Sequence, residues 1–540
     1  MSKPQRIDVY EWRLARAVEG WIFSHRSWVI GLFLAATLFM GWSATKIHID
    51  AGFSKLLPLQ HEYMQTFVKH RDQFGGANRI IIALVARDGN IFTPEFFEAL
   101  RKSTDEVFFI PGVDRAQVQS IFTPNVRFTE VVEDGIAAGN VVPAAFEPTP
   151  EGLEQVRENI LKAGIVGRLV ANDFSGAIIS AQLLEFNPNT GEPLDYVFVA
   201  RELEEKIRAA DGENVDIIVD THIIGFAKVI GDISDGALRV VTFFGIAFLV
   251  SAILLYVYTQ AFRHTLLILL CSLIAVIWQL GILTLLGFGI DPMGILVPFL
   301  VFAIAVSHGV QMVSAARAEI FLGGDVLSAT RNGCRQLIIP GAVALASDTV
   351  GFITILLIKI QVIREMAITA SLGVATVILT NLVLLPVLIS YVDPGPTFRD
   401  RLRQRAHKLA PIWESLSRVA RPLPAVTIIG IAVVLALFGV WKGSDVRIGD
   451  LHAGVPELRE DSRYNVDTRI ISERFSIGVD LISVIVETIE EGCIDYEVMT
   501  HIDDFVWRLR NVEGVRSVIS LPTVARVINS GWNEGSLKWR

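Results

Sequence analysis

Two ionisable residues lie deep inside long apolar stretches of this chain. His308 follows Ser307 more than halfway along Met293–Ala316, and Asp348 lies near the middle of Leu337–Ile358. Each stretch is long enough to cross a bilayer as one helix. Because an ionisable group at that depth is costly, it marks a candidate functional site. The chemistry expected of an imidazole and a carboxylate there is proton transfer.

His308 and Asp348 are predicted to form a proton relay between two antiparallel helices. Counting along the two stretches gives similar depths, to within roughly 6 Å at 1.5 Å per residue. Burial would raise the carboxyl pKa and a nearby imidazolium would lower it, so a small change of packing could move a proton. The alternative is a neutral hydrogen bond that only fixes the register of the helices.

Several residues around the pair are candidates for supporting roles. Three polar residues of the fourth apolar stretch share one helix face, where they could line a proton or water path or form interhelical hydrogen bonds. Two hydroxyl residues flank Asp348, two glycines would serve helix packing, and Thr380 and Asn381 could extend the polar core. The polar residues on one face of the fourth stretch are Ser307, Gln311 and Ser314, the hydroxyl residues beside Asp348 are Ser347 and Thr349, and the packing glycines are Gly309 and Gly351.

Enzyme chemistry is not expected. Ser307 adjoins His308 on a helix, where neighbours point in different directions, so the two do not read as parts of a hydrolytic triad. The chain has no phosphate-binding Gly-x-x-x-x-Gly-Lys-Ser/Thr loop, so ATP is not the expected energy source. Its three cysteines have no metal-ligand spacing, and we predict no metal and no cofactor.

The composition is that of a protein with several membrane spans. Of the 540 residues, 51% are hydrophobic and 19% are charged, and the mean hydropathy is +0.47. This is too apolar for an ordinary soluble protein. The net charge of −9 and the absence of a basic groove argue against nucleic acid as a partner.

The hydropathy pattern predicts seven spans around two soluble regions. Arginine-rich segments are expected on the cytoplasmic side, which puts the N-terminus and the basic connector inside and both large soluble regions outside. The predicted parts are a cytoplasmic N-terminus (1–26), a first span (27–45), an extracytoplasmic α+β domain (46–238), a five-helix block (239–392), a basic cytoplasmic connector (393–424), a seventh span (425–441) and the start of a second extracytoplasmic domain (442–540).

Strands and helices alternate in the first soluble region, which suggests two small α+β units. Strands are expected at Ile80–Ala86, Arg115–Ile121, Ala177–Phe186 and Val215–Val219. Helices are expected to begin at Pro94 and Pro150, each after a capping threonine, and to cover Leu194–Ala210.

The segments after the first and seventh spans resemble each other. KIHIDAGFSKLLP (46–58) and DVRIGDLHAGVP (445–456) lead into similar orders of elements, including the apolar segments IIIALVA (80–86) and LISVIVE (481–487). Such an internal repeat predicts a tandem architecture. A second five-span block does not follow, so we expect either a piece of a protein of roughly 800 residues or a half-length form.

This layout resembles the resistance-nodulation-division (RND) superfamily of transporters, and within it the MMPL branch and the sterol-sensing block of Patched-like proteins. The likeness lies in IGDLHAGVPELREDSRYNVD (448–467), THIIGFAKVIGDI (221–233), ALASDTVGFITILL (344–357) and REMAITASLGV (364–374). The resemblance implies an α-helical multi-span membrane protein with porter-like α+β domains. Where the family has its proton-carrying Asp in the fourth span, this chain has Ser307 beside His308, and its carboxylate, Asp348, is on the fifth span.

Two functions are consistent with the resemblance. The first is a proton-motive-force-driven exporter of hydrophobic or amphiphilic, lipid-like molecules in the cell inner membrane. Its expected partners are that substrate, protons and membrane lipids, and a homo-oligomer is possible. The alternative is a sterol- or lipid-sensing receptor without transport, for which ligand binding would ignore pH and membrane potential.

Overall fold

The computed structural model divides the chain into two compact units. One, which we call the membrane unit, contains residues 1–65 and 236–448, and the other, which we call the soluble unit, contains residues 66–235 and 449–540. The residues that the structure describes are 13–48, 55, 58–74, 78–132, 135–184, 186–187, 190–192, 194–208, 219–291, 294–393, 395, 398–446, 454–455, 458–477, 482–515 and 517–533.

Seven helices in the described residues are long and apolar enough to cross a membrane. Their positions agree with the seven spans predicted from hydropathy, and we number them in chain order. The spans are Arg26–Ala44, Thr242–Thr259, Phe262–Leu285, Gly294–Phe321, Val326–Leu357, Gln361–Ile389 and Pro422–Gly443. The second continues a helix that begins at Phe226, and the sixth contains a π-helical segment, Thr380–Leu384.

The third and sixth spans form the centre of the membrane unit. In their most apolar stretches, 56% and 67% of the residues are buried, whereas none of the seventh span is buried. Small residues let backbones approach closely. A Cβ added to Gly281 would lie 2.5 Å from the carbonyl oxygen of Met40, and one added to Gly333 would lie 2.9 Å from the amide nitrogen of Ala316. These contacts fix how the first, third, fourth and fifth spans pack.

The basic segment after the sixth span contains a helix, Phe398–Ser417, that packs on one end of the bundle. Phe398 and Leu402 are buried together with Ala261, Ile320 and Ala329. Arg405 donates to the carbonyl oxygen of Tyr258, near the C-terminal end of the second span, where the helix dipole favours a cation. The predicted connector is therefore partly a packed helix.

The described part of the second unit contains six strands, numbered in chain order: β1 Arg79–Ala86, β2 Val113–Gln119, β3 Arg127–Val132, β4 Gly135–Asn140, β5 Gly176–Leu183 and β6 Val219–Gly225. Four of them form one sheet in the order β2-β5-β1-β6, and all three strand pairs are antiparallel. The strands β3 and β4 form a separate hairpin. The four strands of the sheet thus belong together, rather than to two separate sheets as the alternating pattern suggested.

Helices cover this sheet and begin where capping residues predict. Thr93 accepts a hydrogen bond from the amide of Phe96, and Thr149 accepts one from Gly152, which confirms both predicted N-caps. The remaining helices outside the spans are Arg13–Ser24, Glu62–Phe74, Pro94–Phe109, Pro150–Ala163, Tyr196–Leu203 with the π-helical Glu204–Arg208, Arg463–Arg474, Tyr496–Arg510 and Leu521–Trp532.

Within the described residues, the apolar segment that the sequence predicts as a second copy of β1 does not form a strand. Residues 482–488 belong to no strand, and Ile482, Val484 and Val486 are exposed. In the first copy, the corresponding β1 is held between two partner strands. An apolar segment becomes a ladder strand only when such partners are present. The predicted strand at Val215–Val219 lies largely outside the described residues, and β6 begins at its last residue.

Candidate functional site

His308 lies at the edge of the buried face of the fourth span. Its side chain is half-buried, and its Nδ1 is 3.1 Å from the carbonyl oxygen of Ile304, one turn earlier. A carbonyl oxygen can only accept, so Nδ1 carries a hydrogen. In the neutral ring, Nε2 is then the nitrogen that can take a proton.

Asp348 does not contact His308 in this structure. Its side chain is exposed from the bundle, and the described residues contain no hydrogen bond or ion pair between the two. Gly333 packs against Ala316, which sets the register of these antiparallel spans. His308 is eight residues from Ala316 and Asp348 is fifteen from Gly333, so their depths differ by seven residues, about 10 Å. The expected direct pair is therefore absent, and each residue stands as a separate candidate.

The polar stripe of the fourth span faces away from the core. Ser307 and Gln311 are exposed, and Ser314 forms a 2.6 Å hydrogen bond with the hydroxyl of Tyr258 on the second span. Exposed polar groups in a span need polar neighbours or water. This face can therefore contact a further polar surface or a hydrated path, but Ser314 also has a packing role.

The other predicted supporting residues have more local environments. Thr349 donates to the carbonyl of Leu345 within its own helix, and Ser347 is exposed. A Cβ on Gly309 would lie 2.9 Å from a side-chain carbon of Ile268, whereas one on Gly351 would meet nothing within 4 Å. The geometry gives Gly309 a close packing contact and gives Gly351 none in the described part of the chain.

Two buried amide side chains lie inside the membrane unit. Gln279 donates to the carbonyl of Thr369 at 3.2 Å, and Asn381 donates to the carbonyl of Ala305 at 2.6 Å. Both side chains are fully buried. The sequence analysis identified Asn381 as a polar residue of the sixth span, but it did not identify Gln279. The signal for Gln279 was a single amide side chain in an apolar stretch.

A buried ionic cluster in the soluble unit was also missed from the sequence. Asp467 is completely buried. It accepts hydrogen bonds from His222 Nδ1 at 2.8 Å and from the amide of Ile223 at 3.1 Å, and it pairs with Arg208. Burial favours a higher pKa, but the bond from His222 and the charge of Arg208 hold the pKa of Asp467 below its usual range. The cluster joins Arg463–Arg474 to β6.

A second set of charges lies next to this cluster, where β6 leads into the helix of the second span. Lys228 is almost fully buried and pairs with Glu204 and Asp232. Burial, which outweighs the hydrogen bond from Lys228, raises the pKa of Asp232. Within the described residues, no group of three or more His, Cys, Asp and Glu side chains could hold a metal ion. These ion pairs are suited to anchoring the start of the helix Phe226–Thr259 to the π-helical segment Glu204–Arg208.

Comparisons with known proteins give a coarse result. No protein-family model matches the chain. A stretch of 366 residues is 22% identical to "Putative membrane protein MJ1562" of Methanocaldococcus jannaschii, and it covers 66% of this chain and 88% of that protein. With the seven apolar helices, this similarity supports the conclusion that the chain is a multi-span membrane protein.

Proposed function

We propose that the chain is a proton-driven transporter of the RND type that exports hydrophobic or amphiphilic, lipid-like molecules. Within that superfamily, its sequence most resembles the MMPL branch. The observation that carries the proposal is the state of His308: an imidazole inside a membrane span whose Nδ1 is held by Ile304 while Nε2 remains able to accept a proton. The motifs of the second, fifth and sixth spans add the family resemblance.

Protonation of His308 would change the energy of its helix face. A neutral imidazole tolerates an apolar environment, whereas an imidazolium needs water or a counter-charge. Taking up a proton from one side and releasing it to the other would therefore favour two arrangements of the fourth span in turn. One charge moved through 100 mV supplies about 2.3 kcal/mol, which corresponds to a shift of nearly fifty-fold in a conformational equilibrium at 1.4 kcal/mol per factor of ten.

Asp348 is assigned a separate role on the neighbouring fifth span. Its exposed carboxylate lies about 10 Å from the depth of His308 by the register count, too far for direct exchange. An ionised group facing outward at that position would need a polar neighbour or water. We expect it to contribute to transport from the exposed face of the fifth span.

Efflux of a fluorescent hydrophobe tests this assignment. Cells that produce the protein are loaded with Nile red and then energised, and the rate of dye loss is measured. His308→Ala should lower the protein-dependent rate at least about tenfold, since a tenfold change corresponds to 1.4 kcal/mol. Asp348→Asn should lower it as well.

The matched controls are His407→Ala and Asp400→Asn. Both residues are exposed on the helix Phe398–Ser417, and their variants should transport like the wild type. Undiminished efflux in His308→Ala and Asp348→Asn, at equal protein levels, would remove the mechanism. Probe binding that is saturable but ignores pH and membrane potential would favour the receptor instead.

A further inference from the structure

Buried polar side chains follow one face of the sixth span. Four of them recur at spacings of four, seven and four residues, which places them on the same side of a helix. Over the fifteen residues from first to last the face extends about 22 Å. All four have exposures of 6% or less; they are Glu365, Thr369, Thr376 and Thr380.

The third span completes this face with polar groups of its own. Gln279 donates to the carbonyl of Thr369, and Thr376 donates to the carbonyl of Ala275 at 3.2 Å. Gly373 lies between the two threonines, and a Cβ there would lie 2.9 Å from the amide carbon of Gln279. The glycine thus provides the space that the amide occupies.

Asn381 connects the inner part of this face to His308. It lies in the π-helical segment Thr380–Leu384, a distortion that often accompanies functional sites. Asn381 donates to the carbonyl of Ala305, and His308 donates to the carbonyl of Ile304. Because these carbonyls belong to successive residues, Asn381 of the sixth span and His308 of the fourth span donate to the same turn of the fourth span.

Two buried amide oxygens in this region find no hydrogen-bond donor among the described residues. They are Oε1 of Gln279 and Oδ1 of Asn381. Their amide nitrogens bind carbonyl oxygens, so flipping either amide would set oxygen against oxygen. Leaving such an acceptor unpaired is costly, and a buried water is the usual partner in a polar site.

We propose that the four polar residues of the sixth span, Gln279, Asn381 and internal waters form a file that carries protons between Glu365 and Nε2 of His308. An excess proton enters at Glu365, which is paired with Lys55. Each water or hydroxyl accepts one proton and passes another on, and the imidazole takes the last. The amides orient the waters and gain or lose no proton. The proton role rests on the proposed function, but the water file is a separate structural claim.

Silver ions test the file directly, because Ag⁺ is small and reacts with thiols only where water reaches them. The background is the full-length protein with Cys271, Cys334 and Cys493 replaced by alanine. Thr376→Cys is on the file, whereas the control Ser371→Cys is equally buried on the other side of the same helix. Thr376→Cys should lose its thiol at least tenfold faster. Equal rates would overturn the file.

Proton flux tests the role of the file. In proteoliposomes with an imposed pH gradient and an internal pH dye, Asn381→Leu and Gln279→Leu should reduce protein-dependent proton entry at least tenfold. Ser371→Ala, which removes a buried hydroxyl bonded to its own helix, should stay within twofold. Normal flux in both Leu variants would overturn the inference even if transport is proton-driven. Fast silver labelling without proton-coupled transport would overturn the proposed function and the proton role, and leave only a water-filled file.

Discussion

At the scale of single residues, the hydrogen bonds of His308 and Asp467 define two different uses of a titratable group. His308 has one ring nitrogen bound to Ile304 and one able to exchange a proton. Asp467 is surrounded by donors from β6, from Arg208 and, on its own helix, from Arg463, and it is fully buried. A group with every acceptor position occupied is held in one charge state, so Asp467 is expected to stabilise the soluble unit rather than to transfer protons.

Removal of the Asp467 charge should strongly destabilise the soluble unit. Asp467→Asn removes the fully buried counter-charge of Arg208 and leaves it only the partly exposed Glu204; breaking a buried pair costs up to about 3–5 kcal/mol. Thermal unfolding of the purified protein, followed by intrinsic fluorescence, measures the effect. Glu473→Gln, at an exposed position on the same helix, should change stability by no more than about 0.5 kcal/mol. Equal melting temperatures for wild type and Asp467→Asn would contradict the assignment.

The same carboxylate predicts a direction of pH dependence. The folded pKa of Asp467 lies below the ordinary value of 3.8, so its contribution is present above pH 3.8 and is lost as pH falls through the folded value. The stability difference between wild type and Asp467→Asn should therefore be constant near neutral pH and shrink in strong acid. A difference that grew on acidification would contradict this sign.

At the scale of elements, close contacts between spans decide which residues meet. Gly333 fixes the register of the fourth and fifth spans, because a Cβ there would lie 2.9 Å from backbone of Ala316. That register separates His308 from Asp348 in depth. Backbone cannot yield as a flexible side chain can, so this contact is a firm constraint.

A larger residue should destabilise the bundle at one glycine of the fifth span and have little effect at another. Gly333→Val should push the fourth and fifth spans apart and cost about 1–3 kcal/mol, the usual range for overpacking. Gly351→Val is the control, since a Cβ there meets nothing within 4 Å. Melting temperatures in detergent measure both. Similar destabilisation by the two variants would show that Gly333 does not set the register.

Elements were predictable where a local signal decides the outcome. The seven apolar helices and the Thr93 and Thr149 caps follow from hydropathy and capping chemistry. The depth of Asp348 could not be read from the sequence, because it depends on the Gly333 contact. Similarly, His222 and Ile223, which donate to Asp467, are more than 240 positions away in the sequence. Whether the apolar segment 482–488 forms a strand depends on the presence of partner strands.

At the scale of the whole molecule, arginines mark one end of the membrane unit. They bind carbonyls just after or near the ends of the second, fourth and sixth spans, which all point the same way. These bonds are Arg405 to Tyr258, Arg399 to Gly324 and Arg263 to Asp393. We propose that this end faces the cytoplasm, as arginine-rich segments usually do, and that the soluble unit is extracytoplasmic.

Cysteine labelling tests that orientation. Cys493 is exposed in the soluble unit and should react with a membrane-impermeant maleimide in intact cells. In a background without Cys493, Gln404→Cys on the helix Phe398–Ser417 should react only after the membrane is permeabilised. The reverse pattern would invert the orientation of the whole protein.

The proposed coupling of lipid export to proton entry is tested most directly when both are recorded in the same vesicles. Proteoliposomes containing a fluorescent phospholipid analogue and an internal pH dye are given a pH gradient, and lipid movement and proton entry are recorded together. We expect the gradient to accelerate lipid movement, protons to enter in proportion, and His308→Ala to abolish both while His407→Ala abolishes neither. Lipid movement that proceeds at the same rate without a gradient, or that survives in His308→Ala, would rule out proton-driven transport through His308.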